Sequence, residues 1–281
     1  MTDDLTTLEK LIRADADTRG AAISKLGYFC APFRPPAGPF SDSVIKVYRG
    51  LTDQAEATRL ATCHDDYVAA LLAAGVPMPD TRFHLLPMDG LQVPVIVQEA
   101  LPIDSLMRPR MQKDPRDETL AMLAAAGAVI ARFWHWAEGY DGRIGFHPSI
   151  RNFAIRGDQA VFFDTFPPLI HYSRDDMGQM LLTFSEKRLM RVVGPLIQSR
   201  VTAIQDEWYS PAETLVGLVG SACRLRPEHA QEYLGWGRAF ARDQMTPWAD
   251  EAIAGLENPP KLSNLWTGMR KALGLEGEPN V

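Results

Sequence analysis

The sequence predicts an α+β fold in two lobes, a small β-rich one over residues 1–101 and a mainly helical one over residues 102–281 that carries a short hairpin. Three observations lead there. Before residue 101, Gly and Pro break the chain into short pieces rich in β-branched and aromatic residues, with one long Ala/Leu-rich stretch among them. After residue 117 the long stretches are helical in character, interrupted once by a compact β-prone segment. Between the two lie Pro102 and a polar run over residues 108–118, a composition shift of the kind that separates folding units.

Each element has its own signal. Leu5, Leu8, Leu11 and Ile12 are spaced for a short amphipathic helix within residues 2–19, packed on the body. Residues 21–48 change to β-prone pieces around a Pro/Gly-rich interruption at 34–39, ending in the strand SVIKVY. Lys46 stands alone there among Val44, Ile45, Val47 and Tyr48, so it either snorkels to solvent or meets an anion. Thr52-Asp53 can cap a helix over residues 54–74, which Gly75 and the sequence Val76-Pro77-Met78-Pro79 bring to a stop. Two more strands, at 83–86 and 93–97, flank the turn Pro87-Met88-Asp89-Gly90, and the second runs into Gln98-Glu99-Ala100-Leu101.

Residues 117–136 are apolar nearly all round, which predicts a buried helix, with His135 as a packing or capping residue. Further helices are expected over residues 175–198, 211–225 and 227–245, a weaker one over 262–273, and a loose tail over 275–281.

Composition narrows the function. With 46% hydrophobic residues the chain can bury a large core. A net charge of −6 without a long basic run argues against nucleic acid and toward a small molecule, a nucleotide or a basic peptide. Cys30, Cys63 and Cys223 lie far apart, which suggests neither a disulfide framework nor a zinc site and suits a reducing cytoplasm. The N-terminal segment is polar and acidic and the apolar runs are short or interrupted, so no signal, anchor or membrane helix is expected.

The stretch around which the chain is organised is residues 145–169, GFHPSIRNFAIRGDQAVFFDTFPPL. Phe153-Ala154-Ile155 and residues 160–163 read as strands, joined by the turn residues Arg156-Gly157-Asp158-Gln159. Asn152 precedes the first strand and Asp164 follows the second, so both side chains emerge at the open end of the hairpin. Two oxygen ligands held together suit a hard cation such as Mg²⁺.

Lys46 in VIKVY, AGVPMP after the Ala-rich helix, VIVQEAL over residues 95–101, and NFAI followed by VFFDTFPP occur in an order that resembles the protein-kinase-like fold, most closely its small-molecule branch of aminoglycoside phosphotransferases and choline kinases. The resemblance implies that Lys46 contacts the α- and β-phosphates of ATP. It implies that a helix acid pairs with Lys46; counting back from Gly75 favours Asp66 over Asp65 and Glu56. Gln98, Glu99 and Leu101 would hold adenine, and Asn152 and Asp164 would hold Mg²⁺. His147 stands where that family carries an aspartate, five residues before the asparagine; an imidazole with a pKa of ~6.5 can accept a proton near neutrality. A Gly-rich phosphate loop is missing, with Gly27 and the segment ending at Pro39 as the only candidates.

The expected function is an ATP-dependent phosphotransferase acting on a hydroxyl of a small molecule or a peptide, in natural-product (ribosomal-peptide) biosynthesis or resistance. The alternative is a kinase-fold protein that has lost phosphotransfer and serves as a partner-binding module, within a biosynthetic complex, or as an acid/base catalyst of elimination or cyclisation through His147.

Overall fold

In a computed structural model that describes residues 2–20, 23, 30–184 and 205–257, the protein is a mixed α+β chain. Helices α1 (Thr2–Arg13) and α2 (Ala16–Arg19) precede a three-stranded antiparallel sheet of β1 (Ser43–Val47), β2 (Thr81–Met88) and β3 (Leu91–Glu99) in the order β1-β3-β2. Helix α3 (Gln54–Ala73) connects β1 to β2. The helix is bounded as the sequence predicts. The Asp53 carboxylate accepts from the Ala55 and Glu56 amides, and Gly75, at φ +71°, turns the chain out of the last turn. The β2–β3 hairpin turns on Asp89 and Gly90, both at positive φ (54° and 77°), the conformation a tight two-residue turn needs to match strand twist.

The rest is mostly helical: α4 (Met107–Lys113), α5 (Arg116–Ala137), α6 (Arg174–Thr183), α7 (Pro211–Leu225), α8 (Ala230–Gln244) and α9 (Ala249–Glu257), with the hairpin β4 (Phe153–Arg156) and β5 (Gln159–Phe162) between α5 and α6. The polar run at 108–118 is largely helical: Met107 and Met111, one turn apart, are fully buried and seat α4 on the core. Helix α9, not anticipated, buries Ala249, Ala252 and Leu256, a face too small to stand out in the sequence. Helix α5 is long and apolar enough to cross a bilayer, but Leu123, Ile130 and Phe133 pack it into the core. The expected helix past residue 184, the helix over 262–273, the tail over 275–281 and most of the β-prone piece at 21–29 lie outside the described residues.

Two buried clusters meet at the sheet. On one face Leu8 and Ile12 of α1 pack with Ile45, Leu86, Met88 and Val95, which gives α1 the structural role its spacing predicts. The other face joins a larger cluster running from Tyr48, α3 and Ile96 through α5 and the hairpin to α7. Period-two alternation along β1 decides the fate of Lys46. Ile45 faces α1, and Lys46, opposite Ile96 in the register, faces α3 and is buried.

Candidate functional site

The β4–β5 hairpin has the register that the turn residues imply. Phe153 pairs with Phe162 and Arg156 with Gln159, Gly157 takes φ +65° at the tip, and the Phe163 amide donates to Asn152 O at 3.0 Å to close the open end. A single turn enters β4: the Asn152 amide donates to Ser149 O at 2.8 Å, while Asn152 Nδ2 donates to His147 O at 2.9 Å. With its nitrogen committed to that carbonyl, the Asn152 side chain has its oxygen left to act as a ligand. Asp164 follows directly on the other strand, half-buried, and among the described residues no donor reaches its carboxylate within hydrogen-bond distance.

Lys46 comes to this end of the hairpin from the sheet. Its Nζ donates to Phe163 O at 2.8 Å, one residue from Asp164. On the other side of Asp164, the Thr165 hydroxyl lies 2.9 Å from Nε2 of His64, a buried residue of α3. Phe163, Asp164 and Thr165 are thus pinned on both flanks by β1 and α3, with the Asp164 carboxylate between the pins. The His64 ring packs on Phe83, its Nδ1 has no partner, and its pKa is pushed down to about 3, first by burial and then by the charge of Lys46.

His147 is placed by Gly145. A Cβ at position 145 would meet Trp208 O at 2.8 Å and the Tyr209 ring at 2.9 Å, so only glycine lets the chain pass there. The Gly145 amide donates to Leu169 O, the Tyr67 hydroxyl donates to Gly145 O at 3.0 Å, and the Phe146 amide donates to Trp208 O at 2.7 Å. These bonds set the His147 ring against Trp208, with centroids 4.5 Å apart, and bring its Nδ1 to 3.5 Å from Asn152 Nδ2. Burial pushes the His147 pKa below the ordinary histidine value, against an upward pull from Asp164. That lowering favours the neutral ring, the form able to accept a proton.

The remaining sequence candidates divide. Gln98 is buried and donates from Nε2 to Thr81 Oγ1 at 2.8 Å, so its side chain braces β2 against β3. The Glu99 carboxylate is exposed and bonds Arg156 at 3.1 Å, joining the end of β3 to the tip of the β4–β5 hairpin. Glu99 N and Ala100 N donate to Asp80 O and Asp42 O. Leu101 lines an open cavity of about 270 Å³ with Pro102, Asp104, Ala154, Arg156 and Val161. That cavity adjoins the end of β3 but includes none of Lys46, His147, Asn152 and Asp164.

Asp66 does not pair with Lys46. Its carboxylate is half-exposed and bonds His171 Nε2 at 3.1 Å. Positions 64 and 66 differ by about 200° around a helix, so only one of them can face the sheet. That one is His64, in line with the buried Leu60, Tyr67 and Leu71 at helical spacing. A histidine on an otherwise apolar stripe is the signal the sequence carries for this position, and a count of acids does not weigh it. Trp208 was likewise visible only as one of several aromatic residues in the second half of the chain. Of the phosphate-loop candidates, Gly27 lies outside the described residues and Gly38 has open space around it.

The chain matches a family of unknown function, DUF6206, over residues 7–277. It belongs to that family. No curated protein matches it. The DUF6206 match takes in every residue of the cluster around Asp164, from Lys46 to Trp208. Among the described residues no group of three or more His, Cys, Asp or Glu side chains could hold a metal by itself. A divalent cation at Asn152 and Asp164 would draw its other ligands from a bound molecule and water, as Mg²⁺ does at phosphate sites.

Proposed function

We propose that this protein is a kinase-like phosphotransferase of two lobes that binds Mg·ATP between the β1–β3 sheet and the β4–β5 hairpin and transfers a phosphoryl group to a hydroxyl of a small molecule or peptide. The observation that carries this reading is the convergence of Lys46, Asn152 and Asp164. A buried lysine from the sheet reaches the backbone next to a carboxylate that no described donor engages, and an amide oxygen emerges beside it. Their donor set fits the groups implied: two hard oxygens for Mg²⁺ and an ammonium for phosphate. When bound, the cation would neutralise phosphate charge, and the protein's own part is positional. Lys46 holds the phosphates, Asn152 and Asp164 fix the metal, and His147, packed against Trp208, accepts the proton of the attacking hydroxyl. The end of β3 at Gln98, Glu99 and Leu101 borders the nucleotide base.

Thermal unfolding with ATP, ADP and GTP, each with and without Mg²⁺, tests this reading. Stabilisation by at least one nucleotide that grows with Mg²⁺ and vanishes in Lys46→Met supports it; no shift with any nucleotide refutes it. One observation favours a second reading, in which the fold has lost the transfer: an imidazole whose pKa burial lowers lies 3.5 Å from the Asn152 amide, competent for acid/base elimination or cyclisation without phosphate.

A further inference from the structure

The open cavity of about 270 Å³ takes no residue from β1, β2, β3 or α3; its walls are the segment from Leu101 through the single turn Ile103–Ser105, Arg110 of α4 and the β4–β5 hairpin. At about 3.3 Å per residue, Ile155 and Arg156 stand ~10–13 Å along β4 from Asn152. The floor is apolar, from Leu101, Ala154, Ile155 and Val161. The rim carries charge of both signs. An antiparallel bridge between Leu106 and Ala154 closes one end, and two residues from it in opposite chain directions come Asp104 and Arg156, which reach the cavity from different walls. Among the described residues no donor bonds the exposed Asp104 carboxylate. Arg156 gives Nη2 to Glu99 at 3.1 Å and keeps Nε and Nη1 to offer.

Arg110 adds little free charge, because its Nε donates to Asp114 at 2.7 Å and its Nη2 to Glu118 at 3.4 Å. With Asp104, Glu99, Asp114 and Glu118 set against Arg110 and Arg156, a bare anion gains little here. A ligand bearing both charges matches the rim. We propose that this cavity binds a free α-amino acid with an apolar side chain, its ammonium at Asp104, its carboxylate at Arg156 and its side chain on the floor of Leu101, Ile155 and Val161. The volume suits so small a ligand, lying just below the ~300 Å³ at which cavities for drug-sized molecules begin. The Arg156–Glu99 pair is exposed on both sides, 57% and 45%, and such a pair is weak enough for a second carboxylate to share the guanidinium. The bound amino acid therefore sits on the tie between the end of β3 and the hairpin tip. This site does not depend on the phosphotransferase reading.

The experiment is calorimetric titration with leucine and phenylalanine, beside isoamylamine and 4-methylpentanoate, which keep leucine's branched chain and lose one charged end each. The amino acids bind wild type, and each one-ended analogue binds about tenfold more weakly, the worth of one charge-assisted hydrogen bond. Asp104→Asn and Arg156→Gln each weaken leucine about threefold to tenfold, while Glu99→Gln, which releases Arg156, tightens it. No binding of either amino acid up to about 10 mM overturns the proposal. So do one-ended analogues that bind as well as leucine, or wild-type affinity in both Asp104→Asn and Arg156→Gln. Both variants change exposed side chains, and should either fail to fold, the analogue series in wild type decides. Lys46→Met binds leucine as wild type does; loss of leucine binding in that variant places the ligand in the cluster and overturns the separate site. Leucine binding without any nucleotide binding keeps this site and sinks the phosphotransferase reading.

Discussion

Asp164→Ala separates a metal ligand from a structural carboxylate. Asp164 is half-buried, and no described donor bonds its carboxylate, so its removal leaves no partner unsatisfied. The free variant therefore unfolds within about 0.5 kcal/mol of wild type, the range of substitutions that break no defined interaction. Ligand present at a hundredfold excess over its Kd stabilises the folded state by about 2.7 kcal/mol, which for a chain of this length raises Tm by about 5 °C. Differential scanning fluorimetry with ATP alone and with ATP plus Mg²⁺ resolves a difference of that size. Wild type is expected to show the larger shift with Mg²⁺, and Asp164→Ala the same shift with or without it. A metal-dependent shift of equal size in both proteins refutes the assignment, and a variant unstable without ligand shows that the carboxylate holds the fold.

Three further outcomes follow from contacts around the site. His147→Ala lowers turnover about 10²–10⁴-fold with nucleotide affinity nearly unchanged, while His147→Asp retains transfer; an active His147→Ala enzyme with no pH limb near neutrality removes His147 from the chemistry. Gly145→Ala destabilises by about 1–3 kcal/mol, because its Cβ lands 2.8 Å from Trp208 O and 2.9 Å from the Tyr209 ring; an unchanged Tm in thermal unfolding contradicts that packing. Burial depresses the pKa of His64, His84 and His147, so the unfolded chain binds more protons than the folded one just below pH ~6.5, and stability falls as pH drops through that value toward the folded pKa values. His64→Gln should shallow that fall in urea titrations by up to about 1.4 kcal/mol per pH unit between pH ~6.5 and about 3, and an unaltered pH dependence shows that His64 is protonated in the folded state.

What could be read from the sequence was local. The hairpin at residues 153–162 follows from turn residues and two short apolar runs, and once it forms, Asn152 and Asp164 have to emerge together. The limits of α3 follow from Asp53 and Gly75. The sequence leaves the inward turn of Lys46 open because strand alternation assigns it to a face without saying what covers that face, and here α3 covers it. What was missed depends on contacts distant in sequence. His64 meets Thr165 across 101 positions, and the His147 ring is set by Trp208 and by the Gly145 contact with Tyr67, 78 positions away. Helix α4 was hidden because its charged residues outnumber the two methionines that bury it.

The two departures from the kinase-like pattern have the same sign, and together they define the electrostatics of the site. The resemblance leads one to expect a carboxylate opposite Lys46 and another before Asn152; the structure has His64 and His147, both with pKa values lowered by burial. Two negative charges are therefore missing around an ammonium and a single aspartate. On the phosphotransferase reading, a site so altered would bind the nucleotide with less dependence on metal, because charge that Mg²⁺ would otherwise offset is not there. Restoring both acids is the decisive perturbation. His64→Glu/His147→Asp should need more Mg²⁺ for half-maximal nucleotide binding than either single variant. The increase should depart from the sum of the single effects, since both side chains act on the one cluster of Lys46 and Asp164. Calorimetry over a Mg²⁺ series reads this out, and a double variant with the wild-type metal requirement shows that the two histidines are incidental to the charge of the site.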